Sequence, residues 1–293
     1  MGQWGALDSR QYMTLINALT VDVEDYFHVQ AFADLIAPSE WHRYPIRVEK
    51  NTRRLLELFA SRRIRATFFV LGWVAQRCPG LIREILSGGH RIGCHSFSHR
   101  AIYKGTGSEF REDLRRAKGV IEETAGTKVS SFRAPSYSIT SKSLWALEIL
   151  AQEGFEYDSS IFPVVHDNYG IRSAPRFPYI ANLESGRQIR EFPPSTLRVL
   201  GVNIPVAGGG YFRLFPYRLT AWAVNHLNKA EGQPAMVYLH PWELDLYQPR
   251  IAASWLSRFR HYQNLNTTET KCSRLLDAFA WGPMEEAFPG DLH

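Results

Sequence analysis

From residue 17 to about 155, short apolar runs alternate with amphipathic stretches, the pattern of strands joined by helices in a parallel sheet. Asn17 to Val23 reads as the first strand. Lys50 to Ser61 then sets Leu55, Leu56, Leu58 and Phe59 against Arg53, Arg54 and Glu57 at helical spacing. Ala66 to Leu71, aromatic and β-branched, is a buried strand, and Pro79 to Ser87 is a helix that Gly88-Gly89 stops. A third short strand runs from Arg91 to Cys94. Ser108 is positioned to cap a long helix reaching about Glu123, Ser131 to Ala134 forms the fourth strand, and Ser141 is positioned to cap a helix to about Gln152.

Beyond Asp158 the rhythm changes. Residues 160–216 carry Pro163, Pro175, Pro178, Pro193, Pro194, Pro205, Pro216 and the run Gly208-Gly209-Gly210, and no helical period survives there. The expectation is loops and a β-hairpin laid across one end of a barrel. Helical spacing resumes from Tyr217 to about Lys229, Ala235 to Leu239 is a last core strand, and residues 250–282 are helical with Leu275, Leu276, Phe279 and Trp281 as the docking face. With no repeat or linker, one domain is the economical division: an extension over 1–16, the folded domain over 17–285 and a tail over 286–293.

Composition narrows the class. A chain of 293 residues with 45% hydrophobic content has enough apolar material for one large core, and a single α/β barrel fits that length. No window approaches the roughly 20 uninterrupted apolar residues of a membrane span. The N-terminus lacks the basic and apolar regions of a secretory signal, so the expectation is a cytoplasmic protein. Cys78, Cys94 and Cys272 are odd in number and widely spaced, which suits buried thiols and not a disulfide framework. The net charge of +5 arises from scattered clusters with no nucleic-acid motif, so no nucleic-acid partner is expected. Oligomeric state is open.

The sharpest local signal is His95-Ser96-Phe97-Ser98-His99 at the end of a predicted strand. Two imidazoles four apart, on one helical turn or on a loop that begins one, can reach a single ion. Asp22-Val23-Glu24-Asp25 ends the first strand, and strand ends on one face of a barrel converge. Three acids within four residues repel one another unless solvated or neutralised by a cation. The residues alone therefore point to a divalent-metal site.

The order of five signals resembles the NodB-type polysaccharide deacetylases of carbohydrate esterase family four. They are Thr20 to Asp25, His95 to His99, Arg133-Ala134-Pro135, Tyr157-Asp158-Ser159-Ser160, and Tyr238-Leu239-His240-Pro241, with Ala66 to Val70 as a further similar strand. Within that family, Val23 to Val29, Gly208 to Arg213 and His240 to Glu243 are most similar to a branch found with bacterial exosortase and exopolysaccharide loci. The resemblance implies an α/β fold, a distorted parallel (β/α) barrel of the NodB-homology type. It also implies removal of N-acetyl groups from a glycan, and one divalent ion, zinc first and cobalt or nickel as alternatives.

The usual first motif has two adjacent aspartates, a base and a ligand. Here Asp22 and Glu24 alternate, which favours Asp22 as base and Glu24 as ligand; if the strand has already ended at Val23, Asp25 takes that seat. Both stay candidates beside His95 and His99. Amide hydrolysis further needs Arg133 to orient Asp22 and keep it ionised, and His240 to protonate the leaving nitrogen with support from acids such as Asp158. Tyr137, by the resemblance, offers its backbone N–H to the oxyanion, and Tyr211 and Trp242 offer aromatic faces to sugar rings. Two other readings compete: an amidohydrolase of small ureides or cyclic amides, and a glycan-binding protein that has lost catalysis. The second requires loss of a ligand or of the general acid, and none of those residues is lost here; an open groove walled by Trp242 and Tyr211 would favour glycan over a small amide.

Overall fold

The structure is a computed structural model, and it describes residues 15–167, 169–206 and 208–288. Positions 1–14 of the expected extension and 289–293 of the expected tail lie outside the described residues. The first half is built as the sequence predicts. Strand β1 (Asn17–Val23) leads to helix α1 (Val48–Ala60), β2 (Thr67–Val70), α2 (Gly72–Arg77), α3 (Pro79–Ser87) and β3 (Arg91–Cys94). Then come α4 (Gly107–Ala125), β4 (Ser131–Phe132), α5 (Trp145–Gln152) and β5 (Tyr157–Asp158).

Local chemistry moves two helix starts. The cap of α4 is Thr106, not Ser108: its hydroxyl accepts from the Glu109 N–H at 3.3 Å while the Glu109 carboxylate accepts from the Thr106 N–H at 2.7 Å. That reciprocal pair satisfies two otherwise orphaned donors. Ser141 caps nothing; α5 begins at Trp145, and the hydroxyl of Ser143 instead accepts from the Thr140 N–H at 2.9 Å in the turn before it.

The Pro- and Gly-rich stretch holds more structure than its composition suggests. It contains two hairpins, β6 (Tyr179–Asn182) with β7 (Gln188–Glu191) and β8 (Thr196–Val199) with β9 (Val202–Pro205), then helix α6 (Gly209–Leu214). Six residues are too few to show a helical period, and α6 is held by the burial of Phe212 and Arg213. The chain ends with α7 (Tyr217–Lys229), β10 (Met236–Leu239), α8 (Trp255–Tyr262), α9 (Leu265–Ala278), β11 (Trp281–Gly282) and α10 (Met284–Ala287). Leu275 and Leu276 are buried on α9, and Trp281 belongs to a strand instead of the preceding helix.

The main sheet runs β10-β1-β2-β3-β4-β5-β7-β6, with β11 beside the start of β1. All of its ladders are parallel except β6–β7. No ladder among the described residues joins β6 to β10, so the sheet is a curled half-barrel: the distorted barrel of an α/β single domain, mixed in direction because a hairpin forms one edge. Every residue of β1 is buried, as suits a central strand. Its polar members are satisfied by the fold: Thr20 donates to the Val237 carbonyl at 3.1 Å, and Asn17 to that of Ala280 at 3.2 Å. Gly208 bridges to Tyr238 of β10, and a Cβ there would lie 2.0 Å from the Tyr238 carbonyl oxygen. Only glycine allows that approach.

Parallel register also sets Asp158 opposite Glu191, and both carboxyl groups are fully buried. Burial pushes both upward, and the Asp158 charge pushes Glu191 further, so Glu191 holds a proton and donates it to Asp158. A raised folded pKa means the unfolded chain, with carboxyls titrating near 4, releases its protons first. The stability this pair contributes is present below that pH and is lost as pH rises through the folded values. In Glu191→Gln the amide keeps the hydrogen bond without titrating. Denaturant unfolding from pH 4.5 to 7.5 is expected to show wild type losing stability relative to the variant, by at most about 1.4 kcal/mol per pH unit and group. A pH-independent difference would show that the pair shares no proton.

Candidate metal and hydrolase site

Strands β1, β3, β4 and β10 run in the same sense, so their carboxyl ends share one rim, and each delivers a functional side chain there. Asp22 is still in the ladder, opposite Phe69. After Val23 the chain turns sharply, the Glu24 N–H donating to the Asp22 carbonyl at 3.0 Å. The strand therefore does end at Val23, yet Glu24 and not Asp25 stays at the rim. Asp25 is turned to the start of α1, where its carboxylate accepts from the N–H groups of Arg47 at 2.6 Å and Val48 at 2.9 Å. Arg47, which occupies the cap position, makes no side-chain cap, so Asp25 satisfies the helix's orphan donors from a distance.

His95 and His99 lie on a loop. Ser96 and His99 take left-handed backbone angles, φ 63° and 51°, which cost energy in non-glycine residues. Asp113 of α4 holds the loop, accepting from the N–H groups of Phe97 at 2.7 Å and Ser98 at 3.1 Å. His95 Nδ1 donates to the Arg133 carbonyl at 2.8 Å, which leaves its Nε2 lone pair for the rim. His99 Nε2 lies 2.6 Å from Glu24 Oε2, and one ligand atom from each of Glu24, His95 and His99 falls within 4.8 Å of the other two.

Electrostatics agrees with a cation seat. Burial drives His95 down to about 4, so it is a neutral lone-pair donor at pH 7. Burial alone would raise Glu24, but the imidazoles of His99, His240 and His95 more than offset it and hold the carboxyl well below its usual range. Two imidazoles and one carboxylate, desolvated together, fit a divalent ion with open positions.

Beside this trio, Arg133 is fully buried and donates to Asp22 Oδ1 at 2.7 Å and Thr20 Oγ1 at 2.8 Å, while Ser159 accepts on its other side at 2.9 Å. His240 Nε2 sits 3.8 Å from both Asp22 Oδ2 and Glu24 Oε1. Asp158 is not its supporting acid, because that carboxylate is engaged with Glu191 and Ser160. The support is Glu243, 3.3 Å from His240 Nδ1, itself held by a buried ion pair with Arg213 at 2.9 Å. Burial alone would lower His240; the Glu243, Glu24 and Asp22 carboxylates overcome it and raise it to about 9.

Of the three expected substrate contacts, two are already engaged within the fold. The Tyr137 N–H already donates to the Ala134 carbonyl at 3.0 Å, and its ring packs in a buried aromatic cluster. Trp242 is 4% exposed, stacked on His261 with ring centroids 4.2 Å apart, and its Nε1 donates to Glu24 Oε1 at 3.1 Å. It orients a site carboxylate and presents no face to a sugar. Tyr211 is half-buried on α6. Glu243, Arg213 and Asp113 escaped sequence reasoning, although one signal existed: Glu243 stands three residues after His240, and its carboxylate accepts from the His240 N–H at 2.9 Å in a capping box.

Residues 40–157 match the family model for polysaccharide deacetylase, and residues 159–289 match a domain of unknown function, DUF3473. Residues 40–157 carry a polysaccharide deacetylase domain. The matched deacetylase segment carries His95, His99 and Arg133; Asp22 and Glu24 precede it, and His240 lies in the second segment. A peptidoglycan-N-acetylglucosamine deacetylase of Bacillus cereus is 31% identical over 98 residues, 33% of this chain and 36% of that protein. The chain thus aligns with about a third of this relative's length. In fold, it is similar to a Mycobacterium smegmatis structure assigned to the polysaccharide deacetylases, with TM-score 0.56 and 20% identity over 92% of this chain and 88% of that one. A Pseudomonas aeruginosa structure with the same assignment gives TM-score 0.55 and 16% identity, over 89% and 83%. No described helix of the chain is long and apolar enough to cross a membrane.

Proposed function

We propose that this chain is a metal-dependent hydrolase that removes N-acetyl groups from a polysaccharide or its oligosaccharide precursor. One observation carries the reading: Glu24, His95 and His99 converge beside a buried Asp22–Arg133 pair on one side and His240 on the other. Glu24, His95 and His99 would hold the ion, zinc first among the candidates, since imidazole and carboxylate donors suit it. When bound, such an ion supplies Lewis acidity toward the acetyl carbonyl and the attacking water.

The protein's own residues do the rest. Asp22 accepts the proton of the attacking water, and the Arg133 guanidinium holds and aims that carboxylate. His240 carries the proton that the departing amine needs, and Glu243 holds the imidazole in place through Nδ1. Trp242 steadies Glu24. The similarity of Gly208 to Arg213 and His240 to Glu243 to the exopolysaccharide-associated branch supports an exported bacterial glycan as substrate.

The test is acetate release from a panel of N-acetylated oligosaccharides, run with zinc, cobalt and nickel in turn. Asp22→Asn is expected to keep its bound metal and lose turnover by at least about 100-fold, the scale of one general base. Loss of metal from this variant would make Asp22 a ligand and overturn its assignment as base.

A further inference from the structure

A second cavity, of about 790 Å³, opens between the loop after β5 and the β8–β9 hairpin. Arg172, Arg176, Arg198 and Asn203 line it, and no acidic side chain does so among the described residues. Arg176 is neutralised by Glu231 at 2.7 Å. Arg172 and Arg198 are exposed and make no ion pair among the described residues. Two like charges turned into one concavity without a counter-charge repel each other, and an anion between them relieves the repulsion.

The hairpin aims these groups. Arg198 of β8 stands directly opposite Asn203 of β9, so both side chains leave the same face of the ribbon. Asn203 is pinned by a 2.7 Å hydrogen bond from Nδ2 to the Pro163 carbonyl, while its Oδ1 is buried and has no partner. A buried acceptor without a donor suits a hydroxyl. Guanidinium forks suit a carboxylate or a phosphate or sulfate ester. An anion beside a hydroxyl is the chemistry of an acidic sugar.

A buried cluster links the cavity wall to the reaction site. Its wall residue Val164 packs in one buried cluster with Tyr137, Phe162 and Tyr238, and the rings of Tyr137 and Tyr238 lie 5.5 and 6.0 Å from the Arg133 guanidinium carbon. We infer that this cavity is a subsite for an anionic substituent of the glycan chain, gripped by Arg172 and Arg198, with Asn203 accepting from a neighbouring hydroxyl. The inference rests on the glycan reading of the rim site.

The test uses matched N-acetylated oligosaccharides that are neutral, uronate-containing or sulfated, with binding read by calorimetry and turnover by acetate release. Wild type is expected to bind an acidic chain about tenfold more tightly than the neutral one, a difference of about 1.4 kcal/mol. Arg172→Ala/Arg198→Ala is expected to bring that ratio near one. Lys50→Ala/Arg83→Ala, which removes the same charge from exposed positions on α1 and α3, is expected to keep it. The uronate and sulfate arms identify the anion. Equal binding of all chains by wild type, an unchanged ratio in the cavity variant, or equal loss in both double variants would each overturn the subsite. Binding through the cavity with no acetate released from any chain would instead overturn the deacetylase reading and leave the subsite standing.

Discussion

Replacing His95 or His99 with alanine is expected to remove bound metal and acetate release together, taking turnover to background, while the fold survives. Each imidazole is one of three donors that converge at the rim among the described residues, so its loss leaves two. The fold survives because the core stands apart from these side chains: β1 is buried along its whole length, and apolar clusters built from Leu19, Val21, Phe68 and Leu239 pack without them. Losing His99 leaves the buried Glu24 carboxylate without its 2.6 Å partner, at a cost on the order of 1–3 kcal/mol for an unsatisfied buried polar group. The variants are checked by elemental metal analysis, acetate release and near-ultraviolet circular dichroism. Full activity after chelation, in wild type or variant, would remove the basis for a metal site here.

His240→Ala is expected to separate two substrates. An amine expelled as an anion is a very poor leaving group at neutral pH, whereas an activated aryl acetate departs without a proton. Hydrolysis of an N-acetyl sugar should fall by about 100- to 10,000-fold, the range for one general acid, with bound metal retained and the activated ester affected far less. The geometry behind this expectation is an imidazole 3.8 Å from Asp22 and Glu24 on its rim side and backed by Glu243 at 3.3 Å. Raised to about 9, His240 is protonated at pH 7 and has a proton to give. Equal loss on both substrates would make it a positioning residue, and the proton would have to come from another group.

How much of the site was legible depended on how each residue reaches it. Asp22, His95, Arg133 and His240 stand at or just past the ends of strands, so period and strand ends were enough to gather them at one rim. Asp25 was not separable from Glu24 by alternation, because the turn after Val23 is decided by a backbone hydrogen bond and by the needs of α1, a helix that begins over twenty residues later. Trp242 read as an exposed platform because a tryptophan on a loop carries no sign of burial. His261, which stacks on it, comes from α8.

By itself, the sequence determined the parallel α/β order of the first half, the residue types at the rim and the resemblance that five motifs carry. These depend on patterns a few residues long, the two- and 3.6-residue periods and fixed motif spacings, and such patterns survive in one dimension. Only the tertiary structure decided that Glu24 takes the seat beside the imidazoles, that Asp158 pairs with Glu191 and not with His240, and that Arg213 and Glu243 back the imidazole. Those choices turn on hydrogen bonds and charge between groups that are mostly 30 or more residues apart, settled by which partner remains when water is removed from both.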